Sequence, residues 1–161
     1  MRKLKIYIET SAIGHLDEPT SPKEMADMLM LWEKIKQGEY DVVISSVTLT
    51  EITNNQTIEK VNTQLRFLSE ISYEMFELNE QAEHIADLVK LSGLLTPDKQ
   101  ENDRLHIGCA VISESDVLVS INCKHLVNVR TINGVREITI AEGYKNILIM
   151  PPAMLIDRGD E

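Results

Sequence analysis

The run Asn102-Asp103-Arg104-Leu105-His106-Ile107-Gly108-Cys109-Ala110-Val111-Ile112, followed closely by Val117-Leu118-Val119-Ser120-Ile121-Asn122, decides how this chain folds. An apolar helix that opens on an acid and leads into a short buried strand is a unit of an α/β protein. Asn102 is a good N-cap, and a carboxylate at Asp103 suits the positive end of the helix dipole. Leu105, Ile107, Cys109, Ala110, Val111 and Ile112 leave little polar face, so the helix lies covered against a sheet. Asp103 is thereby pinned at a rim, and the strand ends there with Ser120 and Asn122. Taken alone, a first-turn Asp is an ordinary capping residue. A site requires other acids to converge on it.

Working outward, Leu4-Lys5-Ile6-Tyr7-Ile8 is a β-rich run that stops at Glu9-Thr10-Ser11, where a carboxylate emerges from a strand end. Ser21-Pro22-Lys23-Glu24 combines an N-cap, a proline at the first helical position and the Glu of a capping box. Met25, Met28, Leu29, Trp32 and Ile35 follow at helical spacing up to Gly38, a core face. Asp41-Val42-Val43-Ile44-Ser45 reads as a second buried strand, with Ser45 or Ser46 capping a helix that carries Glu51. Ile58, Val61, Leu65 and Leu68 mark a further helix, and Tyr73 to Leu78 alternates like an edge strand. Asn79 caps a helix through Ala82, Ile85, Ala86 and Val89 that stops at Gly93, with His84 on its exposed side. Leu94 to Glu101 is a polar loop. Asn133-Gly134 between Val129–Ile132 and Val135–Ile138 signals a hairpin, yet Val129, Ile132, Val135 and Ile138 also repeat every three residues. Ile147-Leu148-Ile149-Met150 is a last strand before Pro151-Pro152.

Strands alternating with helices predict a mostly parallel sheet covered on both faces, whose ligands bind outside the strands' carboxyl ends. Glu9, Glu51 and Asn122 fall at or just past such ends, and Asp103 leans over the same edge. Three clustered carboxylates stay ionised only beside a cation. Oxygen donors suit Mg²⁺ or Mn²⁺, whereas zinc wants His and Cys at ligand spacing. A metal-held water attacking a phosphodiester is nuclease chemistry. Lys124, His125 and Arg130 concentrate positive charge nearby, and Lys124 and His125 are candidates for a substrate phosphate. A phosphotransfer receiver also gathers acids at strand ends, but it needs an Asp ending a middle strand, and Asp41 begins one.

The 161 residues suffice for one domain, residues 1–161, with a core built without staples. A hydrophobic share of 43% beside 26% charged residues is that of a globular protein. No stretch reaches the ~18 apolar residues of a membrane span. The N-terminal apolar run is too short for a signal peptide, which makes a cytoplasmic protein the expectation. The cysteines, Cys109 and Cys123, form no metal or disulfide pattern, and Cys109 reads as a small buried hydrophobe. A net charge of −10 weighs against a surface that attracts nucleic acid as a whole. It suits a basic partner or bound cations.

Nearly the whole chain resembles the PIN-domain ribonucleases, and among them the VapC-like toxins of toxin–antitoxin modules. Tyr7-Ile8-Glu9-Thr10-Ser11 is similar to that family's opening strand, Ser46 to Glu51 to its second acidic segment, Asn102 to Ala110 to its third and Leu118 to Asn122 to its fourth. Leu118 to Asn128, with Ser120-Ile121-Asn122-Cys123-Lys124-His125, is the most specific part. The resemblance implies a three-layer α/β/α fold around a central sheet of about five mostly parallel strands, with a helix over Thr131 to Gly143. It implies Mg²⁺- or Mn²⁺-dependent endoribonuclease activity, an RNA substrate, an antitoxin protein as partner and a homodimer. Glu9, Glu51 and Asp103 would ligate the metal, Asn122 would complete the catalytic set through a bound water, and Ser11 and Ser120 would support it. Two residues depart from the family pattern. Glu9 replaces the usual Asp, moving the carboxylate by roughly an ångström, which can cost about a hundredfold in rate. Asn122 stands where Asp is frequent, favouring one metal over two. The alternative these departures suggest is an impaired domain that binds RNA or protein without cutting.

Overall fold

Side chains alternate across each central strand, and that alternation builds two cores. In the computed structural model, which describes residues 2–156, β1 (Leu4–Ile8) sends Ile6 and Ile8 to one face and Tyr7 to the other. β2 (Tyr40–Ser45) divides Val42 and Ile44 from Val43, and β4 (Val117–Val119) divides Val117 and Val119 from Leu118, in the same sense. Strands apolar on both faces need cover on both faces. Met1 and residues 157–161 of the single domain expected over 1–161 lie outside the described residues.

With β3 (Glu74–Phe76) and β5 (Leu148–Met150), the strands form a five-stranded sheet in the order β3-β2-β1-β4-β5, parallel throughout. Against one face pack α1 (Thr10–Gly14), α2 (Pro22–Lys36) and α4 (Ile58–Ser69), around the fully buried Trp32 and Met28. Against the other pack α5 (Glu80–Leu91), α6 (Glu101–Ile112) and α7 (Val129–Ala141). The fold is thus a three-layer α/β/α arrangement. α3 (Ser46–Thr53) follows β2 directly. Chain order reverses between β1 and β4, so the crevice of such sheets opens outside the carboxyl ends of these two strands.

Two local expectations need correction. α6 begins at Glu101 behind a 3-10 turn at Asp98–Gln100, so Gln100 holds the cap position and Asn102 lies within the first turn. The turn feeds straight into the helix and leaves no extended residue for Asn102 to be. Ser21 caps α2 by position, but its side chain makes no capping bond, and Pro22 supplies the start. Asn133-Gly134 lies inside α7, as the resemblance implied and against the hairpin signal. Asn128 Oδ1 caps that helix through the Thr131 amide at 2.9 Å, while Thr131, Val135 and Thr139 bury one face at four-residue spacing. Packing thereby overrides the turn propensity. Met28, on the core face read from the helical spacing, is wholly buried, whereas Met30 is exposed.

Candidate functional site

The β1 backbone carries past Ile8 to pair the Glu9 amide with Val119 O at 3.2 Å, and α1 begins at the next residue. Glu9 therefore sits at the N-cap, a place where shorter side chains are usual. Its longer chain folds back so that Oε2 accepts from the Ser11 amide and Oε1 from the Ala12 amide, both at 3.1 Å. Ser11 Oγ also donates to Oε1. Glu9 is only 3% exposed. Burial pushes its carboxyl up, against the opposing pull of His106 and of these bonds.

Glu51 stands on α3, on the neighbouring strand's side of the crevice. Its Oε1 accepts from Thr10 Oγ1 at 2.6 Å and lies 2.5 Å from His106 Nε2. Burial raises the Glu51 carboxyl, but His106, Thr10 and Asn102 outweigh it and the net direction is down. Asp103 lies in the first turn of α6, with Oδ2 3.3 Å from His125 Nδ1. Burial pushes Asp103 up, the two histidines pull it down and Glu51 adds to the rise. Asn122 follows β4. Its amide donates to the buried Ser120 Oγ at 3.0 Å, and its Oδ1 accepts from the His125 amide at 3.0 Å. Ser11 Oγ accepts from the Ile121 amide at 3.3 Å, so both serines hold backbone at this edge.

Two carboxylate–imidazole pairs result, Glu51–His106 in the interior and Asp103–His125 nearer solvent. Gln100 Nε2 lies 3.3 Å from His125 Nε2. With the Gln100 amide nitrogen donating to it, the neutral ring carries its proton on Nδ1, toward Asp103. That is the tautomer of a base held by a carboxylate. A cavity of about 330 Å³ opens beside it, lined by Gln100, Lys124, His125, Asn128 and Arg130. A larger one, about 610 Å³, lies at the opposite end of the strands near Lys5, Tyr40 and Asp41. There Lys5 and Lys36 are already paired with Glu74 and Glu70, and none of the site residues takes part.

The acids are hard oxygen donors, as Mg²⁺ or Mn²⁺ would want. As placed, however, they do not fit such an ion. Among the described residues, no three His, Cys, Asp or Glu side chains converge closely enough to hold a metal. Glu9 spends its oxygens on the cap and Glu51 faces His106.

His106 is the residue that sequence reasoning missed. It follows Asp103 by three positions, one helical turn on the same face, and that spacing was the available signal.

Solved structures share this architecture. A chain in the structure of VapBC2 from Rickettsia felis bound to a DNA fragment from their promoter matches at 16% identity and TM-score 0.54, over 91% of this chain and 97% of that one. FitAcB from Neisseria gonorrhoeae matches at 14% and 0.56, over 92% and 98%. FitAB bound to an IR36 DNA fragment matches at 12% and 0.56, over 96% and 99%. The likeness is one of fold. No family model matches this chain, and no curated protein does. Membership of the PIN-domain, VapC-like toxin ribonucleases, expected from the motifs, is therefore corrected. Similarity at 12–16% identity shows the fold alone and does not make this chain a PIN-domain toxin. Motifs spread along an α/β scaffold follow the scaffold, and fold does not carry function with it.

Proposed function

We propose that this chain cleaves RNA phosphodiesters and works as the site-bearing member of a toxin–antitoxin pair. The Asp103–His125 pair beside the small cavity carries the reading. His125 Nε2, once Gln100 turns away from it, takes the proton of an attacking ribose 2′-hydroxyl as that oxygen bonds to phosphorus and the P–O5′ bond breaks, with Asp103 holding the ring and steadying its positive charge. Lys124 and Arg130 line the same cavity and would meet the phosphate. Glu51 and Asn122 complete the edge, Asn122 by fixing the turn that presents His125. No step is routed through Mg²⁺ or Mn²⁺, because no three acids or histidines among the described residues are arranged to hold an ion. A net charge of −10 weakens the long-range attraction of a duplex. A strand with splayed bases, the form in which RNA is commonly read, suits a narrow cavity. Likeness to structures of toxin–antitoxin complexes supports the antitoxin as partner.

One observation favours a second reading, an impaired domain that binds RNA or protein without cutting: Glu9 is consumed as a helix cap and no metal cage is formed. A single assay separates the two. The full chain, Asp103→Asn and His125→Gln are incubated with a mixed structured-RNA pool in Mn²⁺, in Mg²⁺ and in chelator. Cutting that both substitutions abolish and chelator spares establishes the cleavage chemistry proposed here. Cutting that needs metal and survives in His125→Gln would overturn the role of His125. Retained RNA binding with no cutting by any form would select the binding module.

A further inference from the structure

A buried line of hydrogen-bonding groups runs from the sheet to the site. Ser45, the last residue of β2 and the N-cap of α3, accepts from the Thr48 amide at 3.3 Å. Its Oγ is 2.6 Å from the Tyr7 hydroxyl, which is 2.6 Å from His106 Nδ1. His106 Nε2 then meets Glu51 at 2.5 Å. Tyr7 and Ser45 are wholly buried and His106 is 1% exposed, whereas Glu51 opens to the crevice. With the His106 ring neutral, one assignment of protons satisfies every member. The Glu51 carboxylate can only accept, so Nε2 carries the proton, and the Nδ1 lone pair accepts from Tyr7, whose oxygen accepts from Ser45. Reversing any bond would leave two donors or two lone pairs facing each other in the interior, which is costly there.

We infer that His106 is a positioning residue, which the Ser45–Tyr7 line locks in one tautomer and which in turn fixes the Glu51 carboxylate in a single orientation at the mouth of the site. Thr10 Oγ1, donating to the same Glu51 oxygen, is the second point of that hold. The arrangement is rigid because it stands on β1, α3 and α6 and on no loop. Its catalytic importance rests on the RNA-cleaving function proposed above, while the line itself is observable without any activity.

Two measurements on the full chain test it. Long-range ¹H–¹⁵N correlation spectra of the imidazoles should show His106 protonated on Nε2 and bare on Nδ1. Tyr7→Phe should move the Nδ1 resonance and Glu51→Gln the Nε2 resonance. A proton on Nδ1, or no response to Glu51→Gln, overturns the inference. In RNA cleavage, His106→Ala should lower kcat by about tenfold or more with KM nearly unchanged, as a misplaced group does. His106→Gln, which keeps a donor, should recover part of the loss, and Tyr7→Phe, which keeps the ring and the packing, should give a smaller loss. Unchanged kcat in folded His106→Ala and Tyr7→Phe overturns the positioning role. If the wild type cuts nothing, the function above fails, and the spectra alone decide the line.

Discussion

Glu9 shows how a carboxylate at a strand end can be taken up by the helix that follows it. At the end of β1 the backbone turns at once into α1, and a side chain there can satisfy the first amides of that helix or face the crevice. The glutamate reaches back far enough to do the first, and Ser11 holds it. Glu9→Ala should therefore destabilise the protein by about 1 kcal/mol, the usual value of an N-cap, read as a lower urea midpoint. Loss of RNA cleavage without loss of stability would instead show Glu9 acting at the site. At Asp103 the expectation is the reverse: Asp103→Asn leaves the helix intact, so its thermal midpoint stays close to wild type while cutting falls. Placing Glu9, Glu51, Asp103 and Asn122 near strand ends needed only the sequence. That Glu51 faces a histidine and Glu9 its own helix depended on side-chain partners such as Tyr7 and His106, from elements distant in the chain.

Among the helices, the tightest constraint lies where α6 crosses α5. A Cβ on Gly108 would stand 2.1 Å from Ala82 O, against backbone that cannot move aside. Gly108→Ala should thus cost about 1–3 kcal/mol or more, as overpacking does, measurable by chemical denaturation. Gly134 offers a control. It lies within α7, where Gly→Ala normally gains about 1 kcal/mol, but its Cβ would meet Leu94 Cδ1 at 2.3 Å. Leu94 is a side chain and can give way, so Gly134→Ala should be near neutral. Gly108 was legible as a residue of a covered helix. That it is the point of closest approach was not, because only the pairing of α5 with α6 creates the contact. The same holds for α7, where Asn133-Gly134 is a turn signal until Thr131, Val135 and Thr139 find a surface to cover.

Across the whole molecule, the amino edge of the sheet is tied at Asp116. Its carboxylate accepts from Arg2 at 2.8 and 3.0 Å, from Lys145 at 2.8 Å and from the Lys5 amide at 2.8 Å, joining the approaches to β1, β4 and β5. The Arg2 guanidinium above all, with Lys145 and the Lys5 amide, holds this carboxyl well below the usual carboxylate range, against the smaller opposing effect of burial. A carboxyl lowered in the folded state contributes stability that is present above the unfolded value of about 3.9 and fades as the pH falls below it. Asp116→Asn should therefore unfold at lower urea at pH 7 and lose less than wild type between pH 5 and 3. The absence of a cage among the described residues predicts that millimolar Mn²⁺ leaves the thermal midpoint unchanged. An ion held at a hundred times its Kd would add about 2.7 kcal/mol, several degrees, and a rise abolished by Asp103→Asn would show the acids drawing together. By itself the sequence determined the strands, most helices, the parallel α/β class and the edge that gathers the acids. All of these follow from local periodicity and from the tendency of parallel strands to be covered on both faces. Only the tertiary structure decided that Glu9 is a cap and that the carboxylates pair with histidines, and it settled α7 between the hairpin signal and the helix that the resemblance implied. Those outcomes hang on contacts between distant segments, whose energies no single stretch of chain contains.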